Sequence, residues 1–542
     1  MALFSNGPSD SPPTPLAILN IVIVHCHFER GGVTQVVENH VRWLAEQSDI
    51  DRIFLLSGDR IGGLSDQTLR STESIILPGF DYDSVAPKTL CENVAARAGE
   101  LLNQWNVQAR TLQIHPEQTV IHWHNHSLGK NAAGPMVIQQ MATAGWRLLL
   151  QIHDFAEDNR PENYAHLAVG TGASTKADLD TFMYPVATQI HYATLTRFDS
   201  QILAQIGIPD AQSHCLPNSV IAASSHQPDR PAALQRVRQA MALPQDANWC
   251  LYPVRGIRRK NVGEFLLVSR MTPPNCYSGL TLCPTNPLEK KSYERWRQVA
   301  KQFSPRSIFD AAHHPDISFA DNLAASQFIL STSVAEGFGM AFLEPWLSQR
   351  EVIARRLESV TADFEQSSVR LPKLYDALPI PGDKAWIQAC RRESSEIFAK
   401  AWQSVPEAFR PSDATRLPAA VSPPLDDNVI DFGHLTPQRQ IEVLQRVAID
   451  SGFDTAVREH SAELIDWMHQ VADPDLLQHN AKSIDQNYSL GRQGQQLKLI
   501  YQKLLSCKTD PSWTAPLNAG SALEIIHAAR PLFPCRMEPL DD

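Results

Sequence analysis

The chain has 542 residues, room for two to four domains at roughly 100–200 residues each. It is 43% hydrophobic and 20% charged, which is an ordinary globular balance, and its formal net charge is −11. That charge argues against a general nucleic-acid binder, which needs a clustered cationic face, and it gives no basis for broad attraction to an anionic membrane, although peripheral contact through a local basic patch stays open.

The nine cysteines include no Cys-x-x-Cys pair, and their number is odd. A secreted disulfide framework is therefore not expected, and a reducing cytoplasm fits better. Residues 1–15, "MALFSNGPSDSPPTP", lack a cationic start followed by an apolar run and read as a flexible tail, not a signal peptide. "LAILNIVIVHC" is too short to span a bilayer.

In chain order, "ILNIVIVH" predicts a strand buried on both faces, "FERGGVTQ" a glycine turn, and "VVENHVRWLAEQ" a helix. The unit recurs. "RIFLLSG" reads as a strand, "CENVAARAGELLNQW" as a helix, "QTVIHWHN" as a strand, "GPMVIQQMATAG" as a helix and "WRLLLQIHD" as a strand. "QIHYATLT" is a strand and "RFDSQILAQIG" a helix closed by Gly207. After a polar stretch at 221–246 the alternation restarts. "NWCLYPVRG", "GLTLCPT" and "FILSTSV" read as strands, and "GEFLLVSRM", "KSYERWRQVAKQF" and "MAFLEPWLSQ" as helices. Strands alternating with helices predict βαβ units and parallel sheets. The proline-rich 405–427 reads as an excursion, long helices dominate 436–506, and the segment after Cys507 reads as a tail.

Four segments carry candidate chemistry. In "VAEGFGMAFLEPW", Glu336 and Glu344 stand eight apart around Gly337, Phe338 and Gly339. A helix starting near Gly339 would put Glu344 inside it and Glu336 in the preceding loop; glycines there admit a ligand to the backbone. In "YPVRGIRRKNVGE", Arg255 ends a strand and Lys260 follows five residues later, cations placed where a parallel sheet binds its ligand. Gly31 and Gly32 form a glycine pair without the G-x-G-x-x-G spacing, which disfavours a dehydrogenase. In "LLLQIHDFAEDNRPENY", His153 and Asp154 end a strand and Arg160 follows in a polar loop. Each segment taken alone also reads as a solvated turn.

Together the four resemble the retaining glycosyltransferases of family four, with the GT-B architecture of two Rossmann-like parallel-sheet domains facing across a cleft. The resemblance covers residue 18 to about residue 365, includes "LPNSV" at 216–220, and returns at 484–505. It implies an N-terminal acceptor-side domain at 16–235 and a nucleotide-sugar domain at 236–483 with the excursion near 403–435. It further implies a cross-over helix at 484–506 and leaves 507–542 as a tail. It implies a hexosyltransferase, EC 2.4 class, moving a hexose from a donor such as UDP-glucose or GDP-mannose to an acceptor hydroxyl with no cofactor and no metal. By the same resemblance Glu336 and His153 face the donor sugar, Glu344 the ribose, and Arg255, Lys260 and Gly31-Gly32 the diphosphate, with Gly337, Phe338 and Gly339 completing the donor site. Two features depart from the family pattern: 366–480 is long and proline-rich, and Val254 stands where a glycine is usual. The other readings are a GT-B nucleotide-sugar epimerase and a catalytically silent nucleotide-sugar-binding module.

"VIHWHNHSLGKN" sets His122, His124 and His126 at every second position. Same-side strand residues lie about 6.5–7 Å apart, so three imidazoles cannot all reach one ion at about 2 Å without the strand bending. His122 is expected to be half-buried in a strand. His124, Asn125 and His126, together with Asp154 and Arg160, are expected at the acceptor-side rim.

Overall fold

The structure, a computed structural model, describes residues 19–84, 87–222, 228–412, 424–517 and 520–537. The N-terminal stretch 1–15 lies outside them, as does most of 405–427 after Ser412.

Seven strands build the first sheet: β1 (Leu19–Val24), β2 (Ile50–Ser57), β3 (Glu73–Ile76), β4 (Thr119–His124), β5 (Arg147–Ile152), β6 (Ile190–Thr194) and β7 (Ser213–Cys215). Their order is β3-β2-β1-β4-β5-β6-β7, with every pairing parallel. All six residues of β1 are buried, as in a strand covered by helices on both faces.

Six strands build the second sheet: β8 (Asn248–Arg255), β9 (Cys276–Leu282), β10 (Ser307–Ile308), β11 (Ile329–Ser331), β12 (Val352–Arg355) and β13 (Leu374–Tyr375). Their order is β10-β9-β8-β11-β12-β13, again parallel. Each sheet reverses its order at one place, between β1 and β4 in the first and between β8 and β11 in the second. Ligands of such sheets bind outside the carboxyl ends of the strands at these points. This is the GT-B arrangement.

A small antiparallel sheet of β14 (Pro379–Pro381), β15 (Pro424–Asp426) and β16 (Val429–Asp431) brackets the proline-rich excursion, in the order β14-β16-β15. Its prolines lie on the two outer strands, where a missing N–H breaks no ladder. Helices Pro437–Ile449, Ser451–His460 and Ala462–His469 then cover the second domain through Leu444, Val447, Val457 and Met468.

The chain crosses back at Ser489. Helix Pro474–Tyr488 packs Ile484 and Tyr488 into the second domain's core, and helix Leu490–Ser506 packs Leu497, Ile500, Tyr501 and Leu504 against β1 and the helix after it. Gly494 lies so close to Trp43 that a Cβ would stand 2.0 Å from the indole.

Two sequence expectations need correction. "MAFLEPWLSQ" is not one helix: a 3-10 turn at Met340–Phe342 is followed by a four-residue helix, Glu344–Leu347, whose first residue is Glu344. Gly339 enters the turn at φ +88, and Pro345 lacks the N–H that a continuous helix would need. The segment after Cys507 is not a loose tail. Helix Ala522–Ala529 buries Ala522, Leu523 and Ile526, and Arg530 pairs with Asp158 and Asp199 of the first domain. Further on, Phe533 stacks on His434 of the second domain with ring centroids 4.6 Å apart, and Arg536 returns to Asp158 at 3.0 Å. The last described residues thus join both domains.

Deep in the second domain Arg355 grips two carboxylates. Its Nε and Nη2 donate to Glu264 at 3.0 and 2.7 Å, and its Nη1 and Nη2 donate to Asp431 at 2.9 and 2.8 Å. Tyr375 donates to Glu264 at 2.7 Å and Asn261 Nδ2 does so at 2.6 Å. The Arg355 side chain is 2% exposed. Arg355→Leu would leave two buried carboxylates facing no cation, and we expect about 3–5 kcal/mol of destabilisation of this domain, read as an early transition in guanidinium unfolding.

Candidate active site

The two reversal points face each other across one cavity of about 350 Å³, lined by Gly32, His153, Arg255, Lys260, Glu336 and Glu344 among others. From the first sheet, the turn after β1 brings the N-terminus of helix Gly32–Leu44 to its wall. Neither glycine of that turn is demanded by the backbone. Gly31 is fully extended, a Cβ on it would meet nothing closer than 3.8 Å, and one on Gly32 would meet nothing within 4 Å. Gly32, but not Gly31, lines the cavity, and its missing side chain leaves space there beside the N–H groups of a helix start.

From the second sheet, β8 ends in Arg255, whose Nε is buried with no hydrogen-bond partner. The 3-10 turn Arg258–Lys260 follows and closes on Asn261 at φ +47. Lys260 donates to Glu336 Oε1, and Ser333 donates to the same oxygen at 2.6 Å. Tyr252 locks the two loops together, donating to the Lys260 carbonyl at 3.0 Å while its hydroxyl lies 2.7 Å from that of Ser333. Burial would raise the Glu336 carboxyl, but Lys260 and then Arg259 outweigh it and hold it below its ordinary range. Lys260 itself is pulled down, by burial first and by Arg259, against the attraction of Glu336. We take the pair as ionised near neutral pH, because each partner is the other's counter-charge.

Glu344 differs. It has no hydrogen-bond or ion-pair partner among the described residues, and burial pushes its carboxyl up to about 7. Gly337 is where the domains come closest at the site: a Cβ on it would stand 3.0 Å from the carbonyl oxygen of His153. Gly339 needs its positive φ, and a Cβ there would meet Val360 at 2.8 Å. Phe338 turns its ring onto Phe364 and Tyr488, at 5.6 and 5.9 Å between centroids, so it anchors the loop in the domain core.

His153 and Asp154 line the cavity from the end of β5. Burial lowers the His153 imidazole to about 4, so it is neutral at physiological pH. Arg160 stands behind Asp154, donating to it at 2.5 Å. Burial opposes ionisation of Asp154, but Arg160 and Arg259 more than offset that and hold it low.

The expected rim of His124, Asn125 and His126 is corrected. These residues are 0, 6 and 7% exposed and do not line the cavity. Asn125 sits at φ +60, and its Oδ1 accepts from the backbone N–H groups of His153 and Asp154 at 3.3 and 2.9 Å, so it fixes the loop that carries them. His126 Nε2 donates to the Met183 carbonyl at 3.1 Å. His122 is fully buried, between Tyr501 at 2.8 Å and Gln151 at 2.9 Å. Nitrogens of His40, His122 and His124 lie within 4.8 Å of one another. However, the His122 and His124 rings stack at 4.2 Å and 29°, so their in-plane lone pairs run side by side and do not converge. Both His122 nitrogens are also engaged.

Sequence reasoning missed Arg259, Asn39 and Ser219. The first lay in plain view among three consecutive cations. The other two are joined at 3.0 Å and both line the cavity: Asn39 comes from a helix face that no local pattern marks, and Ser219 from the "LPNSV" element, which the resemblance includes without a site role.

No protein-family model matches the chain. Mannosylglucosyl-3-phosphoglycerate synthase of Petrotoga mobilis is 27% identical over 438 residues, covering 78% of this chain and 80% of the relative. Among solved structures, sucrose-phosphate synthase of Thermosynechococcus elongatus superposes with a TM-score of 0.52 at 12% identity, over 90% of this chain and 99% of that one. Anabaena HepE in complex with UDP and glucose gives 0.50 at 12% identity, over 89 and 99%. These likenesses show the fold. That fold is the GT-B class of two facing parallel-sheet domains. Among the described residues no helix is long and apolar enough to cross a membrane.

Because Gly32 faces only open cavity, Gly32→Val should leave the melting temperature close to that of the native protein and abolish stabilisation by UDP or GDP. Thermal denaturation with and without nucleotide checks both halves.

Proposed function

We propose that the protein is a retaining hexosyltransferase of the family-four type, moving a hexose from a nucleotide sugar to an acceptor hydroxyl without a divalent metal. The carrying observation is the charge set around one cavity. Arg255 with its unpartnered Nε, Arg259, Lys260 and a helix N-terminus converge where a leaving diphosphate would gather negative charge. Such donors offset that charge with little reorganisation, because the loops that hold them are already fixed.

Glu336 is the group placed for the donor sugar, accepting from its hydroxyls. In the absence of donor Lys260 occupies it, so donor binding exchanges the Lys260–Glu336 contact for Lys260–phosphate and Glu336–sugar contacts. Glu344, at the far end of the same loop, is placed for the ribose hydroxyls. His153, neutral and at the opposite wall, is placed to hydrogen-bond the sugar. Closure of the domains around the donor would exclude the water that otherwise hydrolyses it.

The name of the Petrotoga relative describes a mannosyl unit joined to a glucosyl phosphoglycerate. GDP-mannose and an anionic glycoside of that chemistry are therefore the first donor and acceptor to test, with UDP-glucose as the alternative donor. A thermal-shift panel of nucleotides and nucleotide sugars identifies the donor: a ligand at 100 times its dissociation constant stabilises by about 2.7 kcal/mol. Glu336→Ala and Lys260→Ala should each lower transfer about 10²–10³-fold while the protein stays folded. Near-native transfer by both would overturn the reading, and binding without turnover of any donor would favour the silent module.

A pH dependence follows from Glu344. Its carboxyl is raised to about 7, so it is mostly protonated below that value and mostly ionised above it. Ribose hydroxyls donate best to the ionised form. Nucleotide affinity should therefore strengthen as pH rises from 6 to 8, and Glu344→Gln should flatten that part of the curve. Titration calorimetry across the range measures it.

A further inference from the structure

We propose that His124, which never touches the cavity, is a positioning residue that sets the tautomer of His153, so that His153 presents Nδ1–H as a hydrogen-bond donor to the bound sugar. The inference rests on the reading of His153 as a donor-side group.

The argument is one of proton placement. His124 Nδ1 and His153 Nε2 lie 3.0 Å apart, so one nitrogen carries the hydrogen and the other accepts it. The remaining nitrogen of His124, Nε2, is buried with no partner. Had His153 supplied the hydrogen, neutral His124 would carry its own on Nε2, a buried N–H with no acceptor at hydrogen-bond distance among the described residues. Buried donors are left orphaned more rarely than buried acceptors. The better arrangement has His124 donating from Nδ1, with only a lone pair unpaired at Nε2. His153 Nε2 then accepts, and the hydrogen of the neutral His153 ring must sit on Nδ1. That nitrogen has no protein partner among the described residues, and His153 lines the cavity.

The ring of His124 cannot turn to escape this role. His122 stacks on one side at 4.2 Å, with His40 5.6 Å from His124 by centroid, and His122 is pinned between Tyr501 and Gln151. His25 Nδ1 donates to the His124 carbonyl at 3.2 Å and fixes its backbone. No carboxylate touches the cluster. Burial holds the imidazoles of His122 and His124 far below their ordinary range, so neither ring carries a second proton.

Asparagine tests this directly, because its amide nitrogen takes the place of Nδ1 and keeps a donor there, whereas phenylalanine keeps the ring and removes it. Long-range proton–nitrogen correlation spectra of the full chain with ¹⁵N-labelled histidine should show His153 protonated at Nδ1 in the native protein and in His124→Asn, but with mixed tautomers in His124→Phe. With GDP-mannose or UDP-glucose, whichever is turned over, His124→Phe should lower kcat by up to about 10²-fold with little change in KM, and His124→Asn should recover most of the loss. A native His153 protonated at Nε2 overturns the proposal, as does a His124→Phe variant with native kcat. Native transfer by His153→Ala would instead sink the donor-side role of His153, and the spectra would still decide the tautomer.

Discussion

The site depends on a hydrogen-bonded network that contains no ligand-facing atom. Arg355 at the end of β12 binds Glu264 and Asp431, and Asn261 donates to Glu264. Gln440, from the helix after the excursion, donates to Asn261 at 3.0 Å. Asn261 is the left-handed residue that ends the Arg258–Lys260 turn. Two of the three cations that line the cavity, Arg259 and Lys260, therefore hang from a residue held by β12, by β16 and by helix Pro437–Ile449. Burying the guanidinium and two carboxylates is costly, and the cost is offset because nearly every lone pair and N–H among them is engaged. The chain after the proline-rich excursion thus returns Asp431 and Gln440 to the base of the loop that carries Arg259 and Lys260.

The same logic explains how two domains make one site. Neither reversal point is complete. The first contributes a helix start and a neutral histidine, the second contributes cations and carboxylates. The chain passes from one to the other at Ser489, between helices Pro474–Tyr488 and Leu490–Ser506. The segment from Ala522 to Met537 ties them again, through Asp158 of the first domain, which Arg530 and Arg536 share, and through the stack of Phe533 on His434 of the second. Burial opposes ionisation of Asp158, yet the two arginines hold it far below its ordinary range. At Gly337 the domains already approach to the limit a side chain would allow. The contacts of this structure are thus those of two domains facing each other closely.

Much of this was legible in the chain. Six-residue runs such as "LNIVIV" and "RLLLQI" can only be strands buried on both faces, and their alternation with amphipathic helices fixes the fold class. Arg255, Lys260, Glu336 and Glu344 were readable because charges next to glycines at strand ends have few structural uses. Strands of two to four residues, such as β7, β10 and β13, carry no period long enough to detect. The last described segment was unreadable for a different reason. It is held largely by Arg530 and Arg536 reaching carboxylates more than 300 residues earlier, and ion pairs of that separation leave no local trace. The histidines were half legible. Their spacing correctly put His122 and His124 on one face of β4, but a two-residue period says nothing of what covers that face. His40 and Tyr501, from helices far apart in sequence, decide that it is dry.

That dryness has a consequence for the charges above it. Buried imidazoles without a counter-ion stay neutral, so His153 and the rings beneath it add no charge to that wall of the cavity, where Asp154 is the ionised neighbour. The buried rings also exclude water, and a low-dielectric wall weakens screening of whatever charge lies nearby. A negative ligand held by the cations of the opposite wall would therefore meet little competition from solvent on this side. A charged lysine or arginine in place of His122 or His124 would be unpaired there and would have to lose its proton or open the fold. Neutral rings satisfy the backbone, fill the space and carry hydrogen-bond direction without carrying charge, a combination that would suit a wall binding an uncharged, hydroxyl-rich group opposite the cations.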